Sequence, residues 1–76
     1  MNRKISDNDL VPRCLYTVTH GFLDHRLSRS EIFILLHYAP NIKNNFVEMT
    51  IMCHNEEISV LSYIDDNGKP INIVRL

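Results

Sequence analysis

The chain has 76 residues, 45% of them hydrophobic, with eight basic and nine acidic side chains. That length makes one domain with a marginal core, and that hydrophobic content excludes a disordered chain. Balanced charge excludes both a strongly basic nucleic-acid binder and an acidic mimic of nucleic acid.

Residues 1–8 are polar and are expected to fray. No apolar stretch resembles a secretory leader or approaches the ~20 residues that span a bilayer, so no membrane role is expected. Two cysteines are no disulfide framework. They imply free thiols and a cytoplasmic location. The many Asn and Ile residues suggest a bacterial or phage source.

From Asp9 onward the pattern reads as a helix. Val11, Leu15, Val18 and Phe22 recur at helical steps, with Asp9 as cap and Pro12 in the first turn. A strand over residues 14–19 is the rival reading, because Cys14-Leu-Tyr-Thr-Val-Thr19 is β-branched and aromatic.

A second helix is expected over 29–39. Ser28-Arg-Ser-Glu31 has the form of a capping box, with Leu27 and Ile32 as the hydrophobic staple. Pro40 would stop it. This segment is apolar nearly all round. Ile32, Leu35, Leu36 and Ala39 make the stripe for the core, which leaves Phe33, Ile34, His37 and Tyr38 as a partner-binding face.

The rest reads as three strands. Phe46–Cys53 alternates, with Val47, Met49, Ile51 and Cys53 on one side. His54–Glu57 is a turn. Residues 58–64 and 70–76 flank Asn67-Gly68, the strongest short hairpin signal, read here as a two-residue type I′ turn. In that register Asp66 faces Lys69, and Ile64 faces Ile71. The last strand is then an edge, where Ile71, Ile73, Val74 and Arg75 offer strand addition to a partner.

The expected fold is therefore α+β. Two helices pack on a three-stranded antiparallel meander, in the order α-α-β-β-β. A β-α-β-β-β order and a winged helix are the alternatives. In the winged form the recognition helix would carry Glu56, Glu57, Asp65 and Asp66, which is electrostatically wrong beside phosphates.

Candidate chemistry is sparse. His20, His25, His37, His54, Cys14 and Cys53 match no compact zinc spacing, and adjacent Cys53 and His54 would point to opposite faces of a strand. Neither thiol has an evident activating partner. No catalytic constellation, metal or cofactor is expected. His25, Arg26, Ser28, Arg29 and Ser30 at the start of the second helix are an anion-binding candidate. The functional expectation is a small cytosolic protein-interaction or regulatory accessory module whose partner is another protein or a second copy of itself. The alternative is nucleic-acid binding through Arg26 and Arg29.

Overall fold

The computed structural model describes residues 10–76. The frayed arm expected over 1–8 and the cap expected at Asp9 lie outside them. The described chain is nearly all strand. Its elements are β1 (Leu15–Val18), β2 (Phe22–Leu23), β3 (Leu27–Ser28), β4 (Ile32–Asn41), β5 (Phe46–Cys53), β6 (Glu56–Tyr63) and β7 (Ile73–Arg75), with one 3-10 turn at Ile42–Asn44. Five strands form one antiparallel sheet in the order β6-β5-β4-β1-β7, and β2 pairs with β3 as a separate hairpin. Neither expected helix is present, so α-α-β-β-β is corrected. The β-α-β-β-β order is right in placing a strand within 14–19, β1 at Leu15–Val18, but its helix is absent. The winged helix falls too, since 46–63 is a strand hairpin.

The largest correction is β4. Phe33 and Leu35 are buried, while Ile32 and Ile34 are exposed, which is a period of two. A segment apolar on all sides satisfies helix and strand periodicities alike, and β1 and β5 supply backbone partners on both of its edges. Phe33 therefore sits in the core, 1% exposed and stacked on Tyr16 with ring centroids 5.9 Å apart. A β-bulge between Leu35 and His37 inserts Leu36 and keeps Tyr38 opposite Met49. Pro40 does not stop an element. It pairs with Val47 where β4 has lost β1 as a neighbour, so its missing N–H disrupts no second ladder.

The interactions of the capping box do form, but they close a turn. The Ser28 amide donates to the Glu31 carboxylate at 2.7 Å, and the Glu31 amide donates to the Ser28 carbonyl at 3.1 Å. Ser30 has φ 75°, the left-handed position of a type II turn. Its amide and that of Val18 tie the turn to β1, reaching Val18 O at 2.8 Å and Glu31 O at 3.2 Å. Ser30→Gly should therefore stabilise the chain by about 0.5–1 kcal/mol, because glycine adopts positive φ without strain. In a helix the same change would cost up to ~1 kcal/mol. The sign of the shift in a urea midpoint decides between them.

The expected β5 alternation is present, with Val47, Met49, Ile51 and Cys53 buried. The turn after it is the true two-residue hairpin. His54 and Asn55 have φ 53° and 64°, and Cys53 pairs with Glu56.

The Asn67-Gly68 turn differs from the expectation by one residue. Among its loop residues only Gly68 has positive φ, at 80°. The Gly68 amide reaches Asp65 O at 2.9 Å, and the Asp65 amide reaches Lys69 O at 2.8 Å. This is a three-residue loop ending in a left-handed glycine, organised by Asp65 Oδ1, which accepts from the amides of Asn67 and Lys69. Ile64 consequently bridges Pro70 rather than Ile71. A one-residue slip exchanges faces, so Pro70 is buried and Ile71 exposed. The chain then leaves β6, and β7 pairs with β1 instead. Its edge position is as expected, but Ile73 is buried and points into the core.

One sheet face holds the core, covered by Leu23 and Leu27 of the β2–β3 hairpin and by Ile64. Asn72 bolts this cover in place. Its side-chain amide donates to Phe22 O at 2.8 Å, its Oδ1 accepts from the Ser62 hydroxyl at 3.2 Å, and its carbonyl accepts from the Thr19 amide at 2.8 Å. Asp24 Oδ2 accepts from the Leu61 amide at 2.9 Å, so the hairpin tip also blunts the β6 edge.

Burial raises the pKa of the Tyr16 phenol, against the lowering effect of the Val11 amide, which donates to its oxygen at 2.7 Å. The folded state thus holds this proton more tightly than the unfolded chain. The stability it contributes is whole below the ordinary phenol value of 10.0 and is lost as pH rises through the raised folded value. Denaturation midpoints should fall above that pH, and Tyr16→Phe should flatten the fall.

Candidate functional site

Two surfaces concentrate unusual side chains. The first is a cleft between the β3–β4 turn and the β5–β6 hairpin, lined by Arg26, Leu27, Glu31, Cys53, His54 and Glu56. Glu31 enters it from a backbone pinned to β1, where its carbonyl accepts from the Val18 amide and the Thr17 hydroxyl. Its carboxylate is divided in use. Oε2 accepts from the Ser28 amide and, at 3.3 Å, from the Ser28 hydroxyl. Oε1 lies 3.2 Å from His54 Nε2.

Cys53 ends β5 on the core side, 6% exposed, with Sγ 3.5 Å from the Ile32 carbonyl. Burial first, and the Glu31 charge second, raise its thiol pKa, so the isolated thiol stays protonated. The donor atoms of Glu31, Cys53 and His54 all lie within 4.8 Å of one another. Alternation along a strand would have sent Cys53 and His54 to opposite faces. It stops at Cys53, because His54 is the first residue of the turn and its left-handed backbone swings the imidazole back over Cys53. A turn at 54–57 does not by itself show where the His54 imidazole points, and Glu31 is 22 residues away from Cys53, so the trio is not visible in the spacing.

The second surface is the sheet face opposite the core. Register places Leu15 of β1, Ile34 of β4 and Met52 of β5 side by side, with Ile32 facing Thr17 one pair away. Leu15, Ile32 and Ile34 are 47%, 52% and 37% exposed. Exposed Phe22, Leu61 and Tyr63 border a separate groove beside β6.

The sequence-derived candidates scatter. Of the face expected on a helix, Phe33 is core, Ile34 and His37 are exposed along β4, and Tyr38 lies past the bulge. On β7 and the residues before it, Ile71 is exposed, Ile73 is core, and Val74 and Arg75 are half-buried. The anion candidate loses its basis, since no helix begins at Ser28. The Ser28 amide is taken by Glu31, and Arg26 lies in the acidic cleft. His25, Arg29 and Ser30 are exposed on the connecting turns. No helix among the described residues is long and apolar enough to cross a membrane. Comparison with family models, with curated proteins and with solved structures finds no match to this chain.

Proposed function

We propose that the chain is a small protein-interaction module that pairs with a second copy of itself through the open face of its sheet. The observation that carries this reading is the stripe of Leu15, Ile32 and Ile34 across β1 and β4, continued by Met52 on β5. Large apolar side chains in adjacent register form a contiguous patch, which is the usual mark of an interaction surface. A second copy fits it best. A two-fold axis would lay the apolar stripe against its own copy, and a net charge of −1 gives little repulsion between copies. Pairing would also supplement the small core of a 76-residue chain. Both cysteines are free, which suits the reducing cytosol proposed as its compartment.

Sedimentation equilibrium tests it. The wild type should be dimeric at micromolar concentration, and Ile34→Lys should weaken association by about a hundredfold, as loss of a central apolar contact does, with an unchanged far-UV spectrum. A wild type that stays monomeric at every concentration, or a dimer indifferent to Ile34→Lys, overturns it.

A further inference from the structure

We propose that Glu31, Cys53 and His54 form a zinc site with three protein ligands and one open position. Thiolate, imidazole and carboxylate are the ligand types zinc uses, and three protein donors plus an open place is the arrangement of its exchangeable sites. The donors are already gathered within 4.8 Å. Zinc–ligand bonds of about 2.0–2.3 Å in a tetrahedron put neighbouring donors roughly 3.3–3.6 Å apart. The 3.2 Å separation of His54 Nε2 and Glu31 Oε1 is at that spacing. The exposed imidazole can adjust within the trio.

The surroundings also suit a metal. Glu31 is oriented from behind by the Ser28 amide and hydroxyl on its other oxygen, the kind of outer contact that fixes a metal-binding carboxylate. His54 is held by the turn rather than by a flexible loop. Without metal, a carboxylate and a buried thiol share one small cleft. Zinc replaces the thiol proton, which is released to solvent as the zinc–sulfur bond forms, and offsets the Glu31 charge. Glu56 and Arg26 line the same cleft. The open position would take water, and the Arg26 charge in the cleft would favour an anionic exchange ligand.

The test is calorimetric titration of the full reduced chain with zinc chloride, alongside cobalt(II) absorption. The expected result is one zinc per chain, with a thiolate-to-cobalt charge-transfer band. His54→Asn keeps a residue that tolerates the turn geometry and removes the imidazole. Cys53→Ser removes the thiolate, and Cys14→Ser is the control. The first two should each weaken zinc binding by about tenfold or more and the third should not, a loss of the size seen when a zinc site's ligands or their supports are removed. Should Cys53→Ser fail to fold, His54→Asn and the cobalt band decide. Absence of binding, binding unchanged by His54→Asn, or binding lost in Cys14→Ser would each overturn the site.

Discussion

Phe33→Ala is expected to remove most of the stability of this chain. Phe33 lies at the centre of the core, 1% exposed, opposite Tyr16 in register and stacked on its ring. Truncating a buried phenylalanine costs about 3–5 kcal/mol, the sum of lost transfer energy and the cavity left behind. A domain of this size has roughly 4–11 kcal/mol in total at 0.05–0.15 kcal/mol per residue. The variant should therefore be largely unfolded at ambient temperature or show a strongly reduced urea midpoint. Were residues 29–39 a helix packed through Ile32, Leu35, Leu36 and Ala39, Phe33 would sit on its uncovered flank, and the same change would cost under ~1 kcal/mol.

Asn72→Ala is expected to cost about 2 kcal/mol, unusually much for a polar residue that is not fully buried. It removes the bond to Phe22 O and leaves the buried Ser62 hydroxyl without its Asn72 acceptor. Two lost hydrogen bonds contribute about 1 kcal/mol each. Their position adds leverage, since they hold the β2–β3 hairpin over the core. The hairpin's own ladder is two residue pairs long, so it depends on what it packs against. A double-mutant cycle with Ser62→Ala should give a coupling of about 1 kcal/mol, whereas additivity would mean that the two side chains act independently.

The parts of the fold legible in the sequence were those with a single periodicity. Phe46–Cys53 alternates cleanly and became β5, with the expected side buried. Residues 32–39 are apolar at every position but His37, so period two and period 3.6 both fit, and the Ser28–Glu31 pattern favours helix. That local motif is real, because its hydrogen bonds form. What the motif could not show is that Ser30 takes a left-handed backbone and sends the chain into a strand.

The hairpin signals were exchanged in a similar way. Asn67-Gly68 formed a turn one residue longer than read, and the two-residue turn fell on His54-Asn55, which contains no glycine. The candidate zinc ligands depend on that second turn, which lies within the turn expected at His54–Glu57, and on the approach of two distant loops, which local spacing does not show. The open stripe is half legible. The sequence leaves Ile34 uncovered, but its neighbours Leu15 and Met52 come from other strands and appear only with the register.

Both surfaces rest on one claim, that residues 32–41 form the central strand between β1 and β5. Cross-strand proton contacts in a nuclear Overhauser spectrum test it most directly. Contacts from Ile34 to both Leu15 and Met52, and from Phe33 to Tyr16, are predicted, with strong sequential Hα–HN contacts along the segment. Strong HN–HN contacts between successive residues of 30–39, with Hα(i)–HN(i+3) contacts and nothing from Ile34 to Leu15 or Met52, would contradict the account.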